Sequence, residues 1–208
     1  MKKKKRNIAE IILPNKAFNI FMASILILGI ISGTIFLIML SSQDKNNVIK
    51  KITLFISNIN KDSVNNGLAI KNSLIINYTY ILLIWLLGLS IIGLIVNIFI
   101  VYIKGFITGF SISAIILTYK YKSIPFILLY IFPHQVINIL LIITISIYSI
   151  IFSKNLMQTI INKKNTNKNI FKKYIVILLI SIIFSFLSSM SEVYIFPKIL
   201  KLIIKLYI

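Results

Sequence analysis

Residues 124–152 form an apolar run with no formal charge beyond whatever His134 carries, and Pro133, His134, Gln135 and Asn138 are set inside it. As one continuous helix the run would be about 44 Å long, against a bilayer hydrocarbon core of roughly 30 Å. No strand or soluble helix needs such a stretch, so lipid is its natural solvent, and something must tilt, bend or break it. Pro133 is the expected place, because proline donates no hydrogen bond to the preceding turn and its ring crowds the carbonyl four residues back. The run reads as a short arm over 124–132 and a spanning helix over 133–152, with the chain's one histidine in its first turn.

Composition agrees with lipid as the solvent. The 208 residues are 58% hydrophobic yet carry a net charge of +19. A soluble domain could not cover that much apolar area with so small a surface. In a membrane protein the apolar residues face lipid and the lysines occupy the loops. Nucleic acid is the usual rival partner for such charge, but these lysines border apolar spans instead of interleaving with aromatics, so none is expected. Cysteine is absent, which removes a disulfide frame and any thiolate metal site.

Taken in order, residues 1–17 are a basic cytoplasmic start, and 18–40 read as an uncleaved first span too long for a signal h-region. Gly29 and Gly33 give this span a face on which another backbone can pack closely. Residues 41–77 read as an extracytoplasmic loop, in which Val48, Ile52, Phe55 and Ile59 make one stripe of an amphipathic helix. That stripe suits a membrane surface, a partner, or packing over the ends of the spans. A second span is expected over 78–102, a tight cytoplasmic turn at Lys104, and a short third span over 105–119. Gly88 and Gly93 in the second and Gly105, Gly109 and Ser113 in the third are the small residues available for packing. The fourth span, 124–152, is the one broken at Pro133. A basic cytoplasmic loop follows over 153–173, then a fifth span over 174–196 and an interfacial tail over 197–208 with Lys198, Lys201 and Lys205 on one face.

The expected fold is therefore all-α: a polytopic transmembrane helical bundle of five spans, with an amphipathic helix in the outer loop and an interfacial C-terminal helix. Cytoplasmic segments then hold a little over half of the 23 cations, a modest positive-inside bias. A six-span variant, with the 124–132 arm crossing separately, stays open.

Little chemistry is available. Glu10, Asp44, Asp62 and Glu192 are the only acids, and no phosphate-cradling loop, HExxH pair or GxSxG elbow is present. No enzyme activity and no cofactor is expected. On the fifth span Ser181, Ser185, Ser188 and Glu192 share one helical face. A carboxylate there costs on the order of 3 kcal/mol to insert, so it must face protein or water. His134 and Glu192 fall at the same depth on neighbouring spans, with Asn138 one turn deeper. Together they form a candidate intramembrane polar group that either locks two helices or relays a proton or ligand.

These residues carry a resemblance. The segment Pro133-His134-Gln135-Val136-Ile137-Asn138 resembles the PHG-x-x-E motif of the stage II sporulation protein M family. Ser191-Glu192-Val193-Tyr194-Ile195-Phe196-Pro197 resembles its terminal E-[AV]-[FY]-x-x-P. Trp85-Leu86-Leu87-Gly88, Gly93, and Lys104-Gly105 ahead of Gly109 are similar to its central spans. Gln135 stands where the family has Gly, and Asn138 where it has Glu. The resemblance implies a multi-pass membrane protein of an endospore-forming bacterium, acting when the mother cell engulfs the forespore. Its role there would be to place or hold the peptidoglycan-degrading stage II sporulation proteins D and P at the septal membrane. Partner anchors are then expected on the Gly29/Gly33 or Gly105/Gly109 faces and on the outer loop. The rival class is a small-solute transporter using Pro133, His134 and Glu192, although no inverted repeat is visible.

Overall fold

In lipid each backbone polar group must be satisfied within its own segment, so apolar stretches of this length become helices. The computed structural model describes residues 16–61, 64–162 and 168–207, and every regular element among them is helical. The basic start, Glu10, Asp62, Lys163 and Lys164 lie outside the described residues. In order the helices are α1 (Lys16–Met39), α2 (Ser42–Asn60), α3 (Asn66–Gly88) and α4 (Gly93–Tyr119). A 3-10 turn (Lys120–Lys122), α5 (Ser123–Phe126) and a π-helical turn (Ile127–Ile131) then lead into α6 (Phe132–Asn162), followed by α7 (Lys168–Tyr194) and α8 (Phe196–Tyr207).

Four stretches are long and apolar enough to cross a membrane: Ala17–Met39, Asn66–Gly88, Gly93–Ile161 and Asn169–Leu202. The third, at 69 residues, doubles back on itself. Tyr119 stacks on Phe126, Asn97 donates to Ser149, and Ser153 donates to the Ser90 carbonyl at 2.8 Å, so position falls along α6 as it rises along α4. The reversal passes through Lys120 at φ 49° and ψ −124°, a combination that suits glycine. Five long apolar helices therefore stand side by side, with α2 and α8 across one end, called here the platform end. The Leu89–Ile92 turn lies at the other.

Three expectations need correction. The turn expected at Lys104 is absent: Lys104 lies mid-way along α4 and is buried. The real turn, 89–92, carries no charge, so charge could not mark it. It is marked by Gly88, where a Cβ would meet the Tyr174 hydroxyl and Ser149, and by Gly93, where one would fall on the Leu87 carbonyl of the preceding helix. Second, residues 66–77 are not loop but the first half of α3, whose N-terminus is capped by Asn65 accepting from the Gly67 and Leu68 amides at 3.0 and 3.2 Å. Third, Pro133 does not break the helix. The π-turn at Ile127–Ile131 widens the spiral just before it, which relieves the ring's clash with the carbonyl four residues back. The 124–132 arm, made of α5 and the π-turn, leads into α6 without an interruption in the helical backbone; α6 itself continues ten residues past 152, to Asn162.

Two cores result. The larger packs Met22, Ile84, Val101, Ile145, Ile147 and Tyr174 between α1, α3, α4, α6 and α7. The second sits at the platform end, where Ile56 and Ile59 of α2, Phe126, Tyr130 and Ile131 before Pro133, and Phe196 and Leu200 of α8 close together. The α2 stripe read from the sequence is thus turned onto the spans, with Val48 and Ile52 half-buried, Ile59 buried, and Phe55 left 48% exposed against the Tyr130 ring. Ser41 caps α2 by accepting from the Asp44 amide, and Lys45 reaches back to the Ile38 carbonyl at 2.7 Å, fixing the angle between α1 and α2.

The small-residue faces of α1 and α4 meet each other. A Cβ on Gly29 would fall on the Tyr102 carbonyl, on Gly33 on the Phe106 carbonyl, on Gly105 on the Leu26 carbonyl, and on Gly109 on the Ile30 carbonyl. Position rises together along the two helices, which are therefore parallel. Tyr102 donates to Ser32 and Ser113 to Thr34, each at 2.9 Å, closing the seam with hydrogen bonds. The glycine faces expected to receive partner anchors are occupied within the chain, because close backbone approach consumes both of them at once.

Candidate functional site

The α7 face predicted from the sequence points inward: Ser181, Ser185, Ser188 and Ser189 are all at or below 1% exposure. Small side chains at three- and four-residue spacing let α3 and α6 come close to α7. Ser189 lies between them and completes the face. At the platform end of this face Glu192, in the last turn of α7, accepts a hydrogen bond from Ser73 of α3 at 2.6 Å. Ser73 also lies 3.0 Å from the Ser189 hydroxyl, and the Asn77 amide donates to Ser189 at 3.1 Å. A carboxylate hydrogen-bonded by a hydroxyl in a poorly hydrated site gains roughly 1.5–3 kcal/mol. This offsets part of the cost of placing Glu192 there.

His134 is buried in the first turn of α6, and its Nδ1 faces the Tyr130 carbonyl at 2.9 Å. That contact fixes the tautomer, since a carbonyl can only accept: Nδ1 carries the proton, leaving Nε2 as the ring's free acceptor or second donor. Its ring lies edge-on to Tyr130 at 6.0 Å and tilted against Phe196 at 5.6 Å. Proline 133 supplies no amide to the preceding turn, and the histidine beside it contributes a side-chain N–H there instead. Asn138 is buried one turn deeper, at 5% exposure. His134 and Glu192 are close enough to interact electrostatically, but their hydrogen bonds go to Tyr130 and Ser73.

Lys104 completes the layer, and no reading of the sequence placed it there. Its Nζ lies 5.2 Å from the centre of the Tyr80 ring, within electrostatic range of both Glu192 and His134. Cation–π contact is a recognised way to hold an ammonium away from water. The hydroxyls of Ser185 and Ser188 in the same half of α7 have no hydrogen-bond partner. A lysine, a histidine and a carboxylate drawn from three helices therefore lie within electrostatic range of one another. Ser73, Asn77 and Tyr80 were missed with Lys104, since all three were assigned to the loop or to a different register of the second span. The four-residue spacing of Ser73 and Asn77, followed by Tyr80, was the signal that could have shown a buried face.

Glu192 and Ser73 also line a cleft of about 260 Å³ at the platform end. Phe55, Ile59, Val64, Ala69, Tyr130, Val193, Tyr194 and Pro197 line it, and Lys198 and Lys201 of α8 stand among its walls. A separate polar layer lies towards the other end. There Tyr174 donates to the Trp85 carbonyl at 2.6 Å and stacks on Phe152 at 4.6 Å, and Ser149 donates to the Ile84 carbonyl at 2.9 Å. These bonds pin α3, α6 and α7 together around Gly88.

Neither a search of curated proteins nor one of solved structures gives a match. The family profile described as Stage II sporulation protein M matches residues 20–197. The matched region starts in α1 and stops at Pro197, one residue into α8 and at the end of the Glu192 segment. It takes in the α1–α4 glycine seam, Glu192 with its partners, and all or most of every stretch apolar enough to cross a membrane. With most of its length matched in this way, the chain belongs to the stage II sporulation protein M family.

Proposed function

We propose that this sporulation membrane protein is a non-enzymatic scaffold that holds peptidoglycan-remodelling proteins at the septal membrane while the forespore is engulfed. By family resemblance the proteins held are the stage II sporulation proteins D and P. In this reading the five long helices all cross, the basic N-terminus and the 153–173 segment are cytoplasmic, and the platform end faces the intermembrane space.

The observation that carries the scaffold reading is the platform. α2 is fixed to the spans through Ile56 and Ile59 instead of hanging as a tether. Its outer surface is left as a rigid ledge on which Leu54 is 54% exposed, between the exposed Lys50 and Lys51 and the exposed Asn58. A rigid ledge binds without an ordering cost. Because the glycine faces of α1 and α4 are filled, partners are expected on this ledge and on the outward faces of the helices. The test is Leu54→Glu with Lys51→Glu in sporulating cells carrying a fluorescent partner. The partner should leave the septum while the altered chain stays there at normal level; unchanged recruitment would retire the reading.

A second reading, passage of a small solute, is favoured by one feature: Lys104, His134 and Glu192 within one layer, since ionisable residues inside a membrane bundle commonly mark a solute path. Proteoliposome flux assays separate it from the first, because a scaffold gives no saturable uptake.

A further inference from the structure

The platform-end cleft carries charge of both signs. The Glu192 carboxylate, with one oxygen fixed by the Ser73 hydroxyl at 2.6 Å, and Lys198 of α8 both line it. Apart from Asn66 and Ser73 the rest of the lining is mostly apolar, with Phe55 and Val64 both more than a third exposed. The volume of about 260 Å³ is below that of sites for drug-sized molecules, so only a small group enters fully. An occupant complementary to this lining carries a cation and an anion a few bonds apart, and apolar material that stays outside. Exposed apolar side chains lie on α3 and α7, with Leu68 at 59% and Leu187 at 56%.

We propose that this cleft binds the headgroup of a phospholipid that ends in a primary amine, with the ammonium against Glu192, the phosphate beside Lys198, and the acyl chains along the exposed faces of α3 and α7. The pairing of charges selects the headgroup. An ethanolamine phosphate brings an ammonium for the carboxylate and a phosphate for the lysine. A glycerol headgroup brings no cation to the carboxylate. A choline headgroup brings a cation that has no N–H to donate to it. A serine headgroup brings a second carboxylate against Glu192. The inference concerns lipid alone and does not depend on which proteins the scaffold holds.

Native mass spectrometry of the purified full chain, released from vesicles of equimolar phosphatidylethanolamine, phosphatidylcholine and phosphatidylglycerol, tests the proposal. Phosphatidylethanolamine should be retained about tenfold over the other two, the factor associated with one charge-assisted hydrogen bond. Glu192→Gln should bring the three to parity and Glu192→Asp should keep the preference, with thermal unfolding run alongside to confirm that both variants fold. Lys198→Gln should weaken retention of all three lipids and leave their order unchanged. Equal retention by the unaltered chain, or a preference that survives in folded Glu192→Gln, overturns the proposal. Should Glu192→Gln not fold, the order of lipids on the unaltered chain and on Glu192→Asp decides the matter. Soluble phosphoethanolamine at the same concentration should not displace the lipid; displacement would overturn the assignment to a membrane source.

Discussion

At the scale of single residues, Lys104 is the position that most changes what the chain can be. Lysine in an apolar sequence ordinarily marks water, and on that rule it was given a turn. Here the cost of inserting the ammonium is partly offset by protein, through the Tyr80 ring and the nearby Glu192, and the side chain stays inside. The inward serine face of α7 and the burial of His134 and Asn138 were legible because each sits on a regular helix with known spacing. The partners of Glu192 were not, since Ser73 lies more than a hundred residues away and only the packing of α3 on α7 joins them. Two outcomes follow at this scale. Ser73→Ala should destabilise the protein in detergent by about 1.5–3 kcal/mol, the loss of a hydrogen bond to a charged acceptor. Lys120→Gly should stabilise it by about 1 kcal/mol, because Lys120 sits at φ 49° where a side chain is strained. Equilibrium unfolding in mixed micelles measures both.

At the scale of elements, the seam between α1 and α4 holds the bundle most closely. Gly29, Gly33, Gly105 and Gly109 were recognised as packing residues from their spacing, but spacing says nothing about which helix a small face will meet. Because the Cβ of any larger residue there would fall on a main-chain carbonyl, the neighbour cannot yield by changing rotamer. Gly105→Leu should therefore cost at least about 3 kcal/mol, the upper part of the overpacking range. Gly67→Ala, whose added methyl would meet only the Asn65 side chain at 3.3 Å, should change stability by less than about 1 kcal/mol. Comparable losses for the two would show that the seam is not a close contact. The amphipathic stripe of α2 was visible in Val48, Ile52, Phe55 and Ile59. The packing surface is rotated from it, so that Ile56 is buried and Phe55 half-open. A helical wheel fixes an apolar side to within about one residue, and the π-turn before Pro133 decides the rest, because Tyr130 within it packs against Phe55 of α2.

At the scale of the whole molecule, the chain is a parallel and antiparallel stack of five apolar helices with a small second core across one end. That architecture was legible in outline: an all-helical fold and helices long and apolar enough to cross a membrane follow from hydropathy and charge. The boundary between the second and third long helices was not, because the uncharged Leu89–Ile92 turn leaves no mark in hydropathy, while Lys104 leaves a misleading one. The central claim is that residue 104 lies within the bundle and the turn lies at 89–92. Single cysteines in this cysteine-free chain, labelled with a membrane-impermeant maleimide in sealed vesicles of both orientations, test it directly. The account predicts that Asn47→Cys reacts from one side, Ser90→Cys from the other, and Lys104→Cys from neither. Labelling of Lys104→Cys from the same side as Ser90→Cys, at a similar rate, would place a turn at 104 and contradict it.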